Sequence, residues 1–329
     1  MKRPKEIMIE IETRCNLDCD FCFNQNNFAH NGRNIENKLT NEYVKKIINA
    51  AVDFDVMALR FTGGEPLMRE DIWDLAEYAR KKDVKLCLNT NGLLIKDIKT
   101  AERIVKYFEN VLIPLQYIDF SERSLLAQKK LKVINLLRKA GIKILRVGTV
   151  ATENLINNFD DFYKLIKKLP INEWELYRVM PSVESDNPFS GEMLKKLVEK
   201  LLKVKKESPI NCYIANAIPF CAYDPKKIQE VSRGAKAVDG HSRFVIDPRG
   251  FAKPMYYINE NIGNPLDLDA CWNHDFMKKM RSLGFVPHGC RGCMFLEKCK
   301  GGCRFSAKII KGNYGAADPL MNNKNKILK

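Results

Sequence analysis

Residues 13–22 directly follow the first apolar run of the chain and read Thr13-Arg14-Cys15-Asn16-Leu17-Asp18-Cys19-Asp20-Phe21-Cys22. The three cysteines have the spacing C-x3-C-x2-C, and no fourth cysteine stands near them in the sequence. A cubane iron-sulfur cluster is normally held by four thiolates. The incomplete set therefore predicts a cluster with one iron open to a substrate or cofactor, although cysteine triplets also occur in zinc sites.

A second motif follows further along the chain, where residues 60–66 read Arg60-Phe61-Thr62-Gly63-Gly64-Glu65-Pro66. The cysteine triplet, the aromatic residue directly before its last cysteine and this Gly-Gly-Glu-Pro segment together resemble the radical S-adenosylmethionine (SAM) superfamily. The resemblance implies a 4Fe-4S cluster held by Cys15, Cys19 and Cys22, with SAM on the open iron. It also implies reductive cleavage of SAM to a 5′-deoxyadenosyl radical, which abstracts hydrogen from the substrate.

The first half of the chain alternates between two kinds of segment. Six short apolar runs read as strands, at Ile7–Ile11, Val56–Phe61, Val84–Leu88, Val111–Leu115, Ile142–Val150 and Trp174–Val179. Between them, amphipathic stretches read as helices, at Asn41–Asp53, Asp71–Lys82, Ala101–Phe108, Ser121–Ala140 and Phe159–Leu169. Thr40 is expected to cap the first helix and Gly141 to end the fourth.

Strands that alternate with helices predict an α/β fold with a parallel sheet. Six units are too few for an eight-stranded barrel, so we expect a partial (β/α)6 TIM-like barrel, and the resemblance implies the same radical SAM type. Active residues should then lie at the carboxyl ends of the strands. A polar link follows Val179, a helix is predicted over Glu192–Lys206, and the alternation should stop from about Ser208. We therefore predict a core domain over 1–207 and a smaller domain over 208–329.

The second predicted domain contains seven of the eleven cysteines, and four of them form a compact run: Cys290, Cys293, Cys299 and Cys303, spaced C-x2-C-x5-C-x3-C. Four thiolates are enough to close a metal site. A zinc knuckle would need the same four, although zinc ribbons usually separate two cysteine pairs by a longer hairpin. The spacing, with Gly301-Gly302 before the last cysteine, resembles the SPASM and twitch extensions of radical SAM enzymes, which carry auxiliary 4Fe-4S clusters.

Two departures from the SPASM pattern reduce the expected number of auxiliary clusters. Met255 stands where the hairpin cysteine would be, and Met321 stands in the tail, where no cysteine follows Cys303. A thioether is a poor ligand for an iron cubane. We therefore predict one auxiliary cluster, held by the four cysteines of the run.

The other four cysteines have no assigned ligand role. Cys87 lies inside a predicted strand and reads as a packing residue, and Cys212 stays unassigned. Cys221 and Cys271 fall in loop-like contexts, where either could replace a ligand, offer a reactive thiol or be inert.

Several residues are expected near SAM because of the resemblance. Gly63, Gly64, Glu65 and Pro66 should lie along the methionine moiety, where glycines let the backbone approach and a carboxylate can accept from the ammonium group. Phe21 should pack by the adenine. Thr90 and Asn91, in Asn89-Thr90-Asn91-Gly92, should lie near the cofactor, although Asn-Gly is equally a plain turn. Gln116 is expected to reach the ribose. Arg178 is expected to pair with the carboxylate of SAM, although a surface arginine is an equal alternative. No catalytic residue is assigned.

Composition limits the partners. The formal charge of +15 could indicate an anionic partner, but the lysines are spread in pairs without a long basic block, so nucleic acid is not the expected partner. No apolar run is long enough to span a membrane, and the amino terminus lacks a signal-peptide pattern, which predicts a cytoplasmic protein. The resemblance implies a low-potential electron donor, ferredoxin or flavodoxin.

The auxiliary domain favours a peptide or protein substrate, since this is the commonest assignment for such an architecture. Tyr256 follows Met255 where the sulfatase-maturase type has an aspartate base, which argues against that oxidation route. Because few residues precede Cys15, an amino-terminal recognition domain is not expected, and leader recognition would need a separate protein or another mode. The first alternative is a small-molecule or nucleotide enzyme of the molybdopterin-precursor type, which would use an open auxiliary iron. The second is a non-catalytic, zinc-binding nucleic-acid module.

Overall fold

A computed structural model describes residues 3–19, 22, 35–117, 124–181, 189–235 and 240–321 of the chain. Phe21 lies outside the described residues. The chain forms two compact units. The first unit comprises Met1–Pro114, Ser124–Arg146 and Asp239–Lys278, and the second comprises Leu115–Arg123, Val147–Val238 and Lys279–Lys329. A domain boundary near residue 207 stays a prediction, because compactness does not test which segment folds independently.

The described residues form nine strands: β1 Glu6–Glu12, β2 Ala58–Gly63, β3 Lys85–Asn89, β4 Asn110–Pro114, β5 Ile144–Ala151, β6 Glu173–Arg178, β7 Asn211–Ile214, β8 Arg243–Ile246 and β9 Ala252–Lys253. They also form twelve α-helices: α1 Asn41–Asp53, α2 Ile72–Lys81, α3 Ile98–Tyr107, α4 Leu125–Lys139, α5 Glu153–Asn157, α6 Phe159–Ile166, α7 Gly191–Glu207, α8 Pro225–Val231, α9 Leu268–Asn273, α10 Asp275–Arg281, α11 Leu296–Cys299 and α12 Arg304–Lys311. Among these helices none is both long and apolar enough to cross a membrane.

The sheet of the first unit has the order β4-β3-β2-β1-β8-β9. β1 lies in its interior and pairs in parallel with β2 on one side and β8 on the other, so that Ile7 lies opposite both Leu59 and Phe244. Only β9 runs antiparallel to its neighbour. An interior parallel strand is covered on both faces, and β1 accordingly reads as a continuous buried run.

In the second unit, β6 lies between β5 and β7. β6 and β7 pair in parallel, with Trp174 opposite Cys212. The Trp174 side chain is fully buried and packs against an aromatic group on α6, with ring centroids 5.4 Å from Phe159, 6.1 Å from Phe162 and 6.4 Å from Tyr163. This packing anchors the start of β6, and Arg178 stands at the other end of the strand.

All six predicted strands are present with ends shifted by one or two residues, and both predicted helix boundaries are confirmed. The Thr40 hydroxyl accepts from the backbone N–H of Tyr43 at 3.2 Å. Gly141, with φ +89°, follows the end of α4 in the left-handed region that glycine tolerates best. The expectation that the alternation stops at about Ser208 is wrong, because α7 leads into β7, which extends the parallel pairing of β6. That strand has four residues and was too short to produce a periodic signal.

Candidate active site and iron-sulfur centres

The end of β2 is joined directly to the start of the cysteine loop. The backbone N–H of Gly64 donates to the carbonyl of Glu12 at 2.7 Å, and that of Glu65 donates to the carbonyl of Arg14 at 2.8 Å. A Cβ on Gly63 would lie 2.3 Å from the Glu12 oxygen, and one on Gly64 would lie 2.2 Å from the Arg14 oxygen. Both glycines are therefore required by the close approach of the two backbones.

Glu65 is a fully buried carboxylate with neutral hydrogen-bond donors around it. It accepts from the Thr90 hydroxyl at 2.6 Å, from the backbone N–H of Asn91 at 2.7 Å and from that of Leu67 at 3.0 Å. Burial raises the pKa of Glu65 to about 7, against the lowering effect of these three donors. Its anionic form would gain from a nearby cation such as an ammonium group.

Asn91 connects this carboxylate to the first cysteine. Its side-chain Nδ2 lies 3.9 Å from Cys15 Sγ and donates to Asn16 Oδ1 at 2.7 Å. Burial raises the pKa of the Cys15 thiol, and the charge of Glu65 raises it further, whereas donors from Leu17 and Asn91 lower it. The structure thus brings together Cys15, Gly64, Glu65, Thr90 and Asn91 from the ends of β1, β2 and β3.

The remaining cysteines of the loop are close in the chain and accessible. The backbone N–H of Cys22 donates to the Cys19 carbonyl at 2.9 Å, and all three cysteines are partly exposed. Among the described residues no group of three or more His, Cys, Asp or Glu side chains could hold a metal ion. A cubane distributes its cysteine ligands over different irons, so its thiolates do not converge on one point as the ligands of a single ion do.

The donor set fits a cluster with SAM beside it. Three partly exposed thiols in one loop supply soft ligands. The buried Glu65 next to them could accept from the SAM ammonium, and the glycines hold that carboxylate in register with the loop. Cys15, Cys19 and Cys22 would hold the cluster, and Glu65 would lie beside bound SAM.

Two other residues expected near SAM lie in the second unit. Gln116 Oε1 accepts from the backbone N–H of Val150 at 2.8 Å, so its amide is fixed against β5. The Arg178 side chain is 2% exposed, and its guanidinium donates to both oxygens of Asp318, at 3.1 and 3.2 Å, and to the Ser306 hydroxyl. A surface position for Arg178 is therefore wrong, whereas its contact with SAM, like that of Gln116, stays a prediction.

The carboxy-terminal cysteines begin in a 3-10 turn at His288–Cys290 and continue through α11. Cys299 is buried at the end of α11, and its Sγ accepts from the backbone N–H of Phe220 at 3.4 Å. Burial raises the pKa of Cys299, while the donors Phe220, Gly302 and Gly301 lower it. Backbone donors to sulfur are a common feature around iron-sulfur clusters, where they tune the reduction potential. This region also fits the ligand chemistry of a cluster.

Cys303 stands at the start of α12 in a different environment. Its Sγ accepts from the backbone N–H of Ser306 at 3.5 Å and so caps the helix, while its own N–H donates to Asp318 Oδ2 at 2.7 Å. Because Asp318 also pairs with Arg178, the cysteine is part of a buried polar network.

Sequence reasoning missed a buried ion network in the first unit. Lys253 on β9 lies 2.8 Å from Glu10 on β1 and 2.9 Å from Asp247, and these side chains are at most 1% exposed. Next to it, Tyr256 is half-buried with its phenol oxygen inside, and this burial raises the pKa of the phenol. The available signal was the charged Glu10 inside an apolar strand, since a buried charge requires a partner.

The model of the "Radical SAM superfamily" matches residues 9–169, which include the cysteine loop, Gly63–Pro66 and Asn91. The chain therefore contains a radical SAM domain. It is 22% identical to an AdoMet-dependent heme synthase of Nitratidesulfovibrio vulgaris, over 97% of this chain and 92% of that protein. It is 23% identical to the PqqA peptide cyclase of Bradyrhizobium diazoefficiens, over 96% and 85%. It is 26% identical to a GTP 3′,8-cyclase of Campylobacter jejuni, over 77% and 81%.

Among solved structures, SuiB of Streptococcus suis bound to SAM has a TM-score of 0.76 at 21% identity, covering 97% of this chain and 77% of SuiB. SuiB bound to its precursor peptide SuiA has a TM-score of 0.74 at the same identity, covering 97% and 76%. These similarities confirm the α/β fold of the radical SAM type, with a partial barrel and a cysteine-rich carboxy-terminal region. The chain is a radical SAM enzyme that uses a 4Fe-4S cluster and SAM, as predicted.

Proposed function

We propose that this enzyme modifies a peptide or protein by radical chemistry started at the cysteine loop. The observation that carries the radical step is the junction of the cysteine loop with Gly63–Glu65, where backbone bonds of 2.7 and 2.8 Å hold the loop beside a buried carboxylate. When bound there, the cluster and SAM supply a 5′-deoxyadenosyl radical that abstracts hydrogen.

The residues around this site have separable roles. Cys15, Cys19 and Cys22 hold the cluster, and the backbone hydrogen bond between Cys22 and Cys19 keeps these two residues close together. Glu65 accepts from the ammonium of SAM and fixes its orientation, and Thr90 and Asn91 hold the carboxylate in place. Orientation of this kind contributes to rate because the reacting atoms no longer have to find one another.

The peptide class of substrate is supported by architecture. SuiB has been solved with its precursor peptide bound. The similarity to SuiB covers 97% of the present chain, including the cysteine-rich carboxy-terminal region. The PqqA peptide cyclase is similar over 96% of the chain. A peptide substrate would place one residue near the SAM site.

The radical step is tested by anaerobic reconstitution. With dithionite as reductant, the chain should bind about eight irons and release 5′-deoxyadenosine from SAM. Glu70 is an exposed carboxylate close in the chain to Glu65. The variant Glu70→Gln is therefore the matched control for substitutions of Glu65, and it should cleave SAM as the parent does. Absence of 5′-deoxyadenosine from a fully loaded enzyme would sink the proposal.

The peptide assignment is tested separately by product analysis. Short peptides encoded beside the gene should change mass when incubated with the enzyme, SAM and reductant, and deuterium from the peptide should appear in 5′-deoxyadenosine. The alternative is a small molecule or nucleotide, favoured by the similarity to a GTP cyclase and a heme synthase. Deuterium transfer from GTP or from a porphyrin, with none from peptides, would decide for that alternative.

The electron source and location complete the proposal. A ferredoxin or flavodoxin is proposed as the low-potential donor, since reduction of SAM at a cubane requires one. The enzyme is proposed to work in the cytoplasm, where thiols stay reduced and available as ligands. Replacement of dithionite by reduced flavodoxin in the same assay tests the donor.

A further inference from the structure

The fourth ligand of the auxiliary cluster is not settled by the spacing of the carboxy-terminal cysteines. Cys290, Cys293 and Cys299 stand between the 3-10 turn His288–Cys290 and the end of α11, but Cys303 comes after α11, directly before α12. Lys300, Gly301 and Gly302 all have positive φ, at 48°, 75° and 76°. These left-handed residues separate Cys303 from α11 and lead it to the start of α12.

Cys303 is committed to other contacts. Its sulfur caps α12 through Ser306, its backbone N–H donates to Asp318, and the side chain is 3% exposed. It packs in a small cluster with Ala217 and Ala235. These contacts hold the Cys303 sulfur at the start of α12.

Cys221 lies in a turn that contacts the segment of the three remaining cysteines. It is in the 3-10 turn Phe220–Ala222, whose first residue donates its backbone N–H to Cys299 Sγ at 3.4 Å. The Phe220 ring packs on Phe295, which lies between Cys293 and Cys299, with ring centroids 5.9 Å apart.

A second backbone contact also holds α11 in place. The backbone N–H of Ala235 donates to the Lys298 carbonyl at 2.9 Å, and a Cβ on Gly234 would lie 2.5 Å from that oxygen. The 3-10 turn and the residues after α8 therefore both pack on α11. Cys221 is half-buried beside this surface.

The position of Cys221 in the chain brings it close to these cysteines. Cys221 directly follows Phe220, whose backbone N–H lies 3.4 Å from Cys299 Sγ, so Cys221 and Cys299 are neighbours in space. Neutral thiols in such a group become good ligands when a metal centre displaces their protons.

We propose that the auxiliary 4Fe-4S cluster is held by Cys221, Cys290, Cys293 and Cys299, and that Cys303 caps α12 instead. The inference rests on the cofactor content of the proposed function. A cluster with four thiolates is closed, which suits electron transfer or structure better than binding of substrate to iron. Although Cys303 is not a ligand in this arrangement, Cys221 takes its place. The auxiliary cluster therefore has no open iron to bind a nucleotide substrate.

The test uses the full-length chain with Cys15, Cys19 and Cys22 all replaced by alanine, so that only auxiliary iron is counted. This chain should bind about four irons after anaerobic reconstitution. Cys221→Ala and Cys299→Ala should each bind less iron than the parent or change the EPR spectrum of the reduced cluster. The change should be the same in both variants. Cys303→Ser and the control Cys87→Ala, a buried cysteine of β3, should keep about four irons and the parent spectrum.

Folding effects are separated from ligand loss by two measurements. Cys303→Ser keeps a strong helix cap, and far-UV circular dichroism should match the parent in every variant. In addition, Cys221 should resist alkylation in the loaded protein and react once the iron is removed.

Three results would overturn the inference. The first is an unchanged cluster in Cys221→Ala, the second is loss of the cluster in Cys303→Ser, and the third is no iron at all in the parent chain. Cleavage of SAM by the unsubstituted enzyme is measured independently, so failure of the proposed function gives a different result from failure of this ligand set.

Discussion

The two cysteine-rich regions of this enzyme hold their thiols in different ways. At Cys15–Cys22 the thiols are partly exposed in a loop, and the ordered groups lie beside them, at the ends of β1, β2 and β3. At Cys290–Cys303 backbone N–H groups approach the sulfurs themselves, as Phe220 does at Cys299. A centre that must admit a cofactor needs an accessible side, whereas a closed centre gains from burial and fixed donors. The contrast shows that the two groups of thiols differ in their surroundings as well as in their number, as expected if one holds an open cluster and the other a closed one.

The strongest test of this contrast removes one thiol of the amino-terminal loop. Cys19→Ala should abolish reductive cleavage of SAM, because the cluster that holds SAM is lost, while about four irons stay bound at the other region. Iron analysis and 5′-deoxyadenosine release measure the two effects, with Cys87→Ala as the control. Loss of all iron would mean that the regions do not load independently.

The second test addresses the buried network around Cys303. Asp318→Ala leaves the Arg178 guanidinium buried without its carboxylate and removes the acceptor of the Cys303 N–H. Breaking a buried pair in this way costs about 3–5 kcal/mol. Urea unfolding should show this loss, whereas Asp275→Asn, whose side chain is 98% exposed, should change stability by less than about 0.5 kcal/mol. Equal effects of the two substitutions would contradict a structural role for Asp318.

The third test addresses the close approach of β2 to the cysteine loop. Gly64→Ala places a Cβ 2.2 Å from the Arg14 carbonyl, so the loop has to move. Overpacking of this kind typically costs about 1–3 kcal/mol, and a displaced loop should lower the iron content of the amino-terminal cluster. Gly191→Ala is the matched control, since no atom lies within 4 Å of its added Cβ. An unchanged melting temperature and iron content in Gly64→Ala would show that the approach is dispensable.

The smallest expected effect concerns SAM affinity. Glu65→Gln should weaken SAM binding about 10- to 100-fold, which corresponds to about 1.4–2.7 kcal/mol, because the ammonium loses an anionic acceptor. Since burial raises the pKa of Glu65 to about 7, the carboxylate is protonated below that pH and anionic above it. SAM affinity should therefore rise as pH increases from 6 towards 8 in the parent enzyme and lose that dependence in Glu65→Gln. Calorimetric titration at several pH values measures both, and an identical pH profile for the variant would exclude Glu65 as the acceptor.

Glu65 also affects folding in the absence of SAM, with a defined sign. A carboxyl group whose pKa is raised on folding stabilises the fold below its ordinary pKa, and this contribution is lost as pH rises through the folded value. The protein without SAM should therefore lose stability between about pH 4.5 and 7 from this group, and SAM should restore it at the upper end.

Local sequence determined much of this protein. Apolar runs such as Ile7–Ile11 specify strands because a parallel strand is buried on both faces. The spacing of Cys15, Cys19 and Cys22 predicts an open cluster, because the number of thiols is a property of the loop itself. The segment Gly63–Glu65 could likewise be read as a close approach of backbones, although its partners Glu12 and Arg14 could not. These features depend on residues near one another in the chain.

Tertiary structure decided what depends on distant pairs. β8 lies beside β1 because Phe244 pairs with Ile7, more than half the chain away, and no local pattern encodes that pairing. The approach of Phe220 to Cys299, and the contact of the Cys303 N–H with Asp318, likewise arise from packing between segments separated in sequence. Spacing within a motif can count the thiols of a centre, but only the folded chain determines which sulfurs face one another, because that depends on where each segment is buried.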